Sequence, residues 1–566
     1  MADKNTTDQD KGGSLRSGGQ LLMDCLVALG ARKGFGVPGE SYLSVLDAMV
    51  DHGNSFDLVS CRQEGGAAYM AAAWGKLTGE PGLCFVTRGP GATNAAVGIH
   101  TAMQDSLPML VFIGQVGTNF IGREAFQEVD YTAFFGPLAK WAVQIDHADR
   151  VPEIISRAWS VARSGRPGPV VVALPEDMLT TMTAAPVCRP VVIPEPSPSA
   201  QNIIDMVAML EQAKTPLVIV GGSCWPDDAA RQIEMFCTVN DVPVVAAHRF
   251  HDIIDNDCPA YGGDAGVGMS GYMSEMLQAA DVIIAINIRF GEMTTNAYTL
   301  FDSPNMAAKL VHVHPSDAEL GKIYAPDLPI HAGAGAMAAA LSGVNLAPNA
   351  ARAEWCKSAR ANYLVGLTPP AQPGALDMGQ VTAHIQAHMD DDAIITHGAG
   401  NFALWPNKFM RFGRDARMLG PQSGSMGFGV PAAIMAKAFD PDRMVICFAG
   451  DGDFQMNHNE LGTALQAGLF PIILILNNGT YGTIRMHQER EYPARVSGTD
   501  IVNPDFVKLA EAYGFYGERV NETSQFADAF ARACASTSGA ILELMIDPDG
   551  ISPRATITGL RACKKA

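Results

Sequence analysis

Short apolar runs rich in Val, Ile and Leu recur along the whole chain, and stretches with helical spacing separate them. Strands buried on both faces give such nearly continuous apolar runs, because helices cover both faces of a parallel sheet. The pattern therefore predicts an α/β fold built from parallel strands. The eleven runs span residues 83–87, 109–114, 169–175, 216–222, 242–247, 281–288, 309–315, 393–398, 444–452, 471–478 and 540–546.

Two proline-rich breaks divide this alternation into three parts. One is PVCRPVVIPEPSP at residues 186–198 and the other is LTPPAQPG at residues 367–374, and both have the composition of linkers. We therefore predict three Rossmann-like, doubly wound domains with parallel sheets, at residues 14–186, 200–345 and 376–548. Three units of similar size suggest related folds. A charged tail, RACKKA, ends the sequence.

Composition and charge exclude several classes of protein. The formal net charge is −19, from 40 basic and 59 acidic residues, whereas a duplex nucleic-acid binder needs a basic surface. No apolar stretch approaches the ~20 residues of a membrane helix, and the polar amino-terminal segment lacks the apolar core of a signal peptide. We expect a cytoplasmic protein with no membrane or nucleic-acid partner, whose 11 scattered cysteines are buried free thiols.

The clearest chemical signal follows two neighbouring apolar runs in the third unit. The first run leads directly into Gly450-Asp451-Gly452, and the second ends in Asn477-Asn478. Asn478 lies 27 positions after Asp451. This spacing fits strand–helix–strand, so both oxygen side chains would lie at the edge where open α/β sheets bind ligands. Glycines let backbone N–H groups approach an anion. A carboxylate and an amide oxygen suit Mg²⁺, which keeps sites for phosphate oxygens and water.

These residues resemble the binding motif of thiamine-diphosphate-dependent enzymes, G-D-G followed after 24 residues by N-N. The resemblance covers almost the whole chain and points to the acetolactate synthase group. Residues 61–116 and the following IGREAFQEVD resemble its pyrimidine-binding domain, and SGSMGFGVPAAIMA resembles the segment that grips the aminopyrimidine. The resemblance implies a pyrimidine-binding domain first, then a central domain, then a diphosphate-binding domain.

The resemblance implies catalytic roles in the first domain. Glu64, in R-x-E-G-G-A-A, matches the glutamate that hydrogen-bonds the pyrimidine N1′ and promotes loss of the thiazolium proton, which is general acid–base work for a carboxyl. Gln127, in A-F-Q-E, matches a glutamine near the reacting carbon. In this family the two cofactor-binding domains meet across a subunit interface. The resemblance therefore implies a homodimer or homotetramer whose site joins Glu64 of one chain to Asp451 of another.

The resemblance also implies the cofactor contacts of the third domain. Asp451, the side chain of Asn478 and the backbone carbonyl of Thr480 match the Mg²⁺ ligands. Met426, in S-G-S-M-G, matches the apolar residue that bends the cofactor so that its reacting atoms meet. The remaining implied contacts, mostly through backbone groups, are Gly398, Gly400, Asn401, Gly424, Gly450, Gly452 and Asp453.

Several positions depart from the acetolactate synthase pattern and bear on the substrate. Glu40 stands where these enzymes have the second glycine of P-G-G, and Arg88 replaces a usual serine, either to bind a substrate carboxylate or to form a structural salt bridge. His487 replaces the tryptophan of the anabolic synthases and either lines the substrate pocket with Thr483, one helical turn earlier, or lies on the surface. Gln115 either contacts substrate or satisfies a strand end.

The central domain carries less chemical information. In this family it holds FAD, another nucleotide or nothing. The run NIRFGEMTT at residues 287–295 keeps the arginine and phenylalanine of the flavin pattern without its paired aspartates, and YGGDAGVG lacks the histidine of the second flavin loop. We therefore expect FAD to be absent or dispensable.

The sequence thus predicts a Mg²⁺- and thiamine-diphosphate-dependent enzyme similar to acetolactate synthase. It would decarboxylate a 2-keto acid, most simply pyruvate, with the thiazolium as electron sink, and would then carry out carboligation with a second carbonyl compound. A 2-keto acid decarboxylase and an aldehyde carboligase or lyase are alternatives within the family. Residues 117–119, Gly-Thr-Asn, replace the twin histidines of pyruvate decarboxylases, which disfavours simple decarboxylation. An inactive cofactor-binding regulatory subunit is the remaining alternative.

Overall fold

Three six-stranded sheets, each with all of its strand pairs parallel, organise the chain. The structure, a computed structural model, describes residues 15–563. The predicted α/β architecture of three parallel-sheet domains is confirmed. Most of the polar amino-terminal segment, the predicted domain start at Ser14 and the last three residues of the charged tail lie outside the described residues.

The first domain has helices on both faces of its sheet. Its strands are β1 (Arg16–Ser17), β2 (Lys33–Gly36), β3 (Asp57–Ser60), β4 (Gly82–Val86), β5 (Met109–Gln115), β6 (Trp141–Gln144), β7 (Pro169–Pro175) and β8 (Met182–Thr183). Its helices are α1 (Gly18–Ala28), α2 (Leu43–Asp51), α3 (Glu64–Thr78), α4 (Pro90–Asp105), α5 (Tyr131–Phe135), α6 (Val151–Arg163) and α7 (Glu176–Thr180). Alternate residues of β4 face two apolar layers, Phe85 with Leu22 of α1 and Cys84 with Ala68 of α3. Strands β1 and β8 form a separate antiparallel pair.

The central domain continues past the predicted boundary at residue 345. Its strands are β9 (Pro216–Val220), β10 (Val244–Ala247), β11 (Tyr261–Ala265), β12 (Val282–Ile286), β13 (Lys309–His314) and β14 (Leu328–His331). Its helices are α8 (Ala200–Gln212), α9 (Asp227–Val239), α10 (Gly271–Ala279), α11 (Ala334–Leu341) and α12 (Ala350–Gly366). Helix α12 packs on β11, and its Cys356 and Tyr363 belong to the apolar core of this domain.

The third domain carries the strands that end in the candidate motifs. Its strands are β15 (Ile394–His397), β16 (Arg417–Leu419), β17 (Val445–Gly450), β18 (Ile472–Asn477), β19 (Tyr516–Val520) and β20 (Ala540–Met545). Its helices are α13 (Met378–His388), α14 (Leu404–Phe409), α15 (Gly429–Phe439), α16 (Asp451–Phe454), α17 (Leu461–Ala467), α18 (Gly482–Glu491), α19 (Phe506–Ala512), α20 (Thr523–Ala535) and α21 (Ile557–Cys563).

Strand order makes the first and third domains topological copies of each other and sets the central domain apart. The sheets run β3-β2-β4-β5-β7-β6, β11-β10-β9-β12-β13-β14 and β16-β15-β17-β18-β20-β19. Numbered within each sheet, the outer domains both follow 2-1-3-4-6-5, whereas the central domain follows 3-2-1-4-5-6, the order typical of dinucleotide-binding folds. The expectation of related folds therefore holds at the level of strand order for the outer pair only.

All eleven apolar runs are strands, and the strands that the pattern did not reveal lie mainly at sheet edges. Strands β3, β6, β11, β14, β16 and β19 each have a neighbour on one side only. The side chains of β3, β6, β14 and β19 are partly solvated and their composition is mixed, whereas β11 and β16 are mostly buried but are only five and three residues long. Strand β2 is internal but short and rich in glycine. Glycine is required there, because a Cβ on Gly36 would lie 2.4 Å from the Phe85 carbonyl oxygen.

Both predicted linkers lack regular structure. Residues 186–198 and 367–374 contain neither helix nor strand. The first linker is nevertheless fixed, since Glu195 accepts a hydrogen bond of 3.0 Å from the Gly335 N–H at the start of α11. All eleven cysteines are free, and seven of them are buried as expected, but Cys224, Cys534 and Cys563 are exposed. Within residues 15–563, no helix combines the length and the apolar composition that crossing a bilayer requires.

Candidate cofactor site

A cavity of about 350 Å³ lies at the carboxyl edge of the third sheet, between the third and central domains. Strands β15, β17 and β18 are neighbours and parallel, so the residues that follow them meet at one edge. This is the topological switch point of the sheet, the position at which open α/β folds bind ligands. The sequence-predicted residues that line it are Gly400, Asn401, Gly424, Met426, Gly450, Asp451, Gly452, Asp453, Asn478, Thr480 and Thr483.

Asp451, the expected metal ligand, is a buried carboxylate held by three N–H donors. It accepts hydrogen bonds from the backbone of Gly452 at 3.0 Å and of Gly479 at 2.9 Å, and from the Asn503 side chain at 2.7 Å. Burial raises the pKa of this carboxyl, and the hydrogen bond from Asn503 is the main opposing effect. A positive ion beside it would remove the cost of keeping the charge buried.

The other two expected metal ligands follow β18 directly. The Asn478 side-chain oxygen lies 3.2 Å from the Thr480 N–H, and the Thr480 hydroxyl donates to the Thr499 carbonyl at 2.8 Å. Among the described residues, no group of three or more His, Cys, Asp or Glu side chains is arranged to hold a metal. One carboxylate, one amide oxygen and one backbone carbonyl instead fit Mg²⁺, which takes its other ligands from phosphate and water.

Asp453 organises the turn that follows β15. One of its oxygens accepts hydrogen bonds from the backbone of Gly427 at 2.9 Å and of Ala399 at 3.1 Å, while Oδ2 is buried without a partner in the described part of the chain. Burial raises the pKa of Asp453 to about 7. The approach requires glycine at position 398, since a Cβ on Gly398 would lie 2.1 Å from the Asp453 Oδ1.

Met426 lies on a segment, residues 420–427, that two domains hold in place. Gly424 has a φ of +67°, which favours glycine, and Met426 lines the cavity. Tyr69 of α3, in the first domain, lies 2.5 Å from the Ser425 hydroxyl and donates to the Met426 carbonyl at 3.3 Å. The apolar residue expected to bend the cofactor therefore stands on a fixed backbone.

Of the two residues expected on α18, Thr483 lines the cavity and His487 does not. The Thr483 hydroxyl accepts from the Asn401 N–H at 3.0 Å and donates to the Asn401 side chain at 3.1 Å, which ties α18 to the turn after β15. His487 lies one turn further along α18, is exposed in the single chain and does not line the cavity.

The catalytic residues expected in the first domain lie away from this cavity, whose lining includes no residue of that domain. Glu64 begins α3 and accepts a hydrogen bond of 2.9 Å from Asn94. Gln127 has a left-handed backbone, with a φ of +65°, and lies against Gly89. Gln115 donates to the Val129 carbonyl at 2.8 Å and accepts from its neighbour's N–H, so its side chain closes the end of β5.

Arg88 forms ion pairs with two carboxylates at the switch point of the first sheet. Its guanidinium contacts Glu176 and lies 3.2 Å from Glu40. The Arg88 side chain is 10% exposed, whereas that of Glu40 is 68% exposed. Within one chain, Arg88 therefore takes part in salt bridges, the second of the two alternatives for this residue.

Several cavity residues had no signal in the sequence. They come from the central domain and from α14. These parts are distant in the chain from the motifs, and no unusual local sequence pattern marks the residues. The charged and histidine side chains among them are His248, Arg249, His251, Asp264 and Lys408. Asn503, which donates a hydrogen bond to Asp451, was missed for the same reason, because only the fold brings it to the expected metal ligands.

A second cavity, of about 240 Å³, lies at the switch point of the central sheet, beyond β9 and β12. Gly222, Asn287 and Arg289 are among its lining residues. This is the place where a nucleotide would bind in a fold of this strand order. The expectation that FAD is absent or dispensable remains a prediction.

Comparison with known proteins agrees with the fold of three domains. Residues 16–134, 203–341 and 398–544 match, in that order, the N-terminal TPP binding domain, the central domain and the C-terminal TPP binding domain of thiamine pyrophosphate enzymes. The chain is 33% identical to the acetolactate synthase large subunit of Corynebacterium glutamicum, with 91% of this chain and 84% of that protein covered. It is 30% identical to the acetolactate synthase isozyme 2 large subunit of Escherichia coli, with 94% of this chain and 96% of that protein covered. It is 32% identical to the acetolactate synthase large subunit of Lactococcus lactis, with 90% of this chain and 89% of that protein covered.

The fold, the cavity and these matches define a thiamine-diphosphate-dependent enzyme of the carboligase class. The chain belongs to the thiamine pyrophosphate enzyme family, in the acetolactate synthase group.

Replacing Asp451 with alanine should remove Mg²⁺-dependent binding of thiamine diphosphate, because it deletes the one charged ligand expected for the ion. Loss of an outer-shell partner typically costs 10–100-fold in metal affinity, so loss of this ligand should exceed about 100-fold. Titration calorimetry with both ligands measures the change. Asp528→Ala, which removes an exposed carboxylate on α20, is the matched control. Wild-type affinity in Asp451→Ala would contradict the assignment.

Proposed function

We propose that the chain is a Mg²⁺- and thiamine-diphosphate-dependent enzyme that decarboxylates a 2-keto acid, most simply pyruvate, and joins the product to a second carbonyl compound. The observation that carries the proposal is the cavity beyond β15, β17 and β18, where the diphosphate, metal and pyrimidine contacts implied by the sequence come together. The acetolactate synthase relatives favour carboligation over simple decarboxylation.

Bound thiamine diphosphate would supply the electron sink for decarboxylation. The residues of the chain would bind and orient it. Asp451, Asn478 and Thr480 would hold Mg²⁺ against the diphosphate, and Met426 would support the bend that brings the reacting atoms together. Glu64 would hold the proton that its carboxyl exchanges with the pyrimidine nitrogen, as general acid–base catalysis requires.

We propose a homodimer as the smallest active unit. The first domain contributes no lining residue to the cavity of its own chain, so Glu64 would have to come from a partner. Exposed apolar side chains lie beside the first-domain residues expected at the interface, with Leu43 62%, Phe120 50% and Phe126 73% exposed. A second copy of the chain would cover such apolar surface. The free cysteines support our further proposal of a cytoplasmic location.

Three measurements on the purified protein test this function. They are the binding of thiamine diphosphate with Mg²⁺, the release of CO₂ from pyruvate, and product identification with a panel of 2-keto acids and aldehydes. Cofactor binding, CO₂ release and a ligated product together support the proposal. An aldehyde as the sole product would favour a decarboxylase, and cofactor binding without turnover of any substrate would favour a regulatory subunit.

Replacing Glu64 with glutamine should slow exchange of the thiazolium C2 proton by about 10²–10⁴-fold, the usual loss when a general acid–base group is removed. The affinities for Mg²⁺ and thiamine diphosphate should change little, because the ligands of the third domain are untouched. Hydrogen–deuterium exchange on the bound cofactor measures the rate. Glu80→Gln, just beyond the other end of α3, is the control. An unchanged exchange rate would remove Glu64 from its proposed role.

Mixing two inactive variants, Glu64→Gln and Asp451→Ala, should restore activity. A site shared between chains gives each mixed dimer one intact site and one doubly altered site, so random pairing should recover roughly a quarter of wild-type activity. Activity after subunit exchange, followed against dimer content by ultracentrifugation, checks this. If both residues served the same chain's site, mixing would recover nothing.

The choice of acceptor should depend on charge near Glu40. Arg88 lies between Glu40 and Glu176, so one positive and two negative charges leave a net charge of −1 on this cluster. Two like charges, such as the Glu40 carboxylate and the carboxylate of an acceptor, would repel by roughly 3 kcal/mol at ~5 Å and an effective dielectric constant near 20. The exposure of Glu40 reduces this value. We propose that the cluster disfavours an acceptor that carries a carboxylate.

With pyruvate as donor, the protein should prefer a neutral aldehyde acceptor over 2-ketobutyrate more strongly than an anabolic synthase does. Replacing Glu40 with glycine should move this preference towards 2-ketobutyrate, because a negative charge is lost, and His487→Trp should do so by restoring a wide apolar side chain. Competition between 2-ketobutyrate and acetaldehyde or benzaldehyde measures the ratio. Glu153→Gln, which alters a remote surface ion pair, is the control. A strong 2-ketobutyrate preference that neither variant changes would show that these residues do not set specificity.

A further inference from the structure

Arg249 stands out as a strained and buried residue beside the cofactor cavity. It follows β10 in the central domain, has a φ of +62°, and is 7% exposed. Residues other than glycine rarely adopt this left-handed conformation, and strain of this kind persists where the surrounding structure requires the side chain. The side chain lines the cavity beneath the third sheet, although it belongs to another domain.

The guanidinium of Arg249 connects the two halves of the cofactor site. Its Nη1 donates to the carbonyl of Gly398, at 3.3 Å, and to the carbonyl of Pro421. Gly398 begins the turn at residues 398–401 that is expected to hold the diphosphate. Pro421 belongs to the segment 420–427, which carries Met426 and is expected to grip the pyrimidine. One nitrogen atom therefore joins the two backbone segments that would bind opposite ends of the cofactor.

Two further side chains hold the same segment from the first domain. Lys76 donates to the Gly420 carbonyl at 2.6 Å and to the Arg249 carbonyl at 3.3 Å. Asp105 accepts from the N–H groups of Gln422, at 2.8 Å, and Ser423, at 3.1 Å. The segment is thus gripped from two domains, and Arg249 alone of these three residues also reaches the diphosphate turn.

The charge of Arg249 is maintained in this environment. Burial lowers its pKa to about 10, and the carboxylates of Asp105 and Asp453 oppose that shift, so the guanidinium stays protonated at neutral pH. Its Nε is buried without a partner in the described part of the chain. A buried charge of this kind is retained only where other charges and hydrogen bonds compensate it.

We propose that Arg249 is a positioning residue that sets the separation between the diphosphate turn and the pyrimidine segment, and thereby the affinity for thiamine diphosphate. The inference rests on the proposed function, since it assumes that these two segments bind one cofactor. It assigns to the central domain a direct part in forming the cofactor site. Without the guanidinium, the turn and the segment keep only the tie through Asp453, which accepts from Ala399 and Gly427, so their separation is less firmly fixed.

Arg249→Met tests the proposal, because it keeps an unbranched apolar stem and removes the donors. The dissociation constant of thiamine diphosphate at saturating Mg²⁺ should rise by about 10–100-fold, as when an outer-shell partner is lost. Arg249→Lys should recover most of the affinity, because one nitrogen serves both carbonyls and an ammonium can donate to both. Titration calorimetry gives the affinity, and scanning calorimetry without cofactor gives the melting temperature.

Arg352→Met provides the matched control. Arg352 is a buried arginine of the same domain that donates to the backbone carbonyls of Asn240 and Ala347, both at 2.7 Å, and it does not line the cofactor cavity. Its replacement should lower the melting temperature and leave the cofactor affinity unchanged. Arg249→Gly also removes the guanidinium, and glycine adopts a φ of +62° without strain. This variant should therefore fold even if the Met variant does not, and it should show the same loss of affinity.

Three outcomes would overturn the inference while leaving the proposed function intact. They are wild-type affinity in Arg249→Met or Arg249→Gly, a Lys variant no better than Met, and an equal loss of affinity in Arg352→Met. Failure of the wild-type protein to bind thiamine diphosphate is a different result. It would overturn the proposed function, and this inference with it.

Discussion

The parallel pairing of β15, β17 and β18 is the constraint on which the site depends. Parallel strands end on the same edge of a sheet, and helices on both faces leave the strand interiors apolar. Polar groups therefore collect mainly beyond the carboxyl ends of the strands. Gly398, Asp451 and Asn478 each follow directly after such a strand, so one edge gathers a glycine turn, a carboxylate and an amide.

The same burial makes the site ready for an anionic cofactor together with a cation. Asp451 and Asp453 are each 2% exposed, and backbone N–H groups are their main partners. Burying carboxylates in this way is costly unless N–H groups, a metal or a positive side chain compensate their charge. In a protein with a net charge of −19, attraction of a diphosphate would have to come from such local groups and from the proposed Mg²⁺ rather than from the overall field.

The site also depends on contacts between domains that are remote in sequence. Tyr69 and Asp105 from the first domain and Arg249 from the central domain all hold the segment 420–427. The two outer domains share one strand order, and the central domain has another. The central domain also contributes charged residues to the cavity of the third domain. Cofactor binding is therefore a property of the assembled chain, and changes far from the motifs can alter it.

The sequence by itself determined the α/β class, every inner strand except β2, and the placement of the G-D-G and N-N motifs after two neighbouring strands. Strands buried on both faces must be apolar along their length, and the G-D-G and N-N spacing allows one strand–helix–strand path. Edge strands such as β6 and β19 escaped notice because partial exposure to solvent relaxes that requirement.

Only the tertiary structure decided which distant residues complete the site. Arg249 meets Gly398 and Pro421 across about 150 and 170 positions of chain, and Asn503 reaches Asp451 across 52. Tertiary structure likewise joined Arg88 to Glu40 and Glu176, where the sequence had left two roles open. The physical reason is that a side chain's hydrogen-bond partners depend on how domains pack, which local periodicity does not encode.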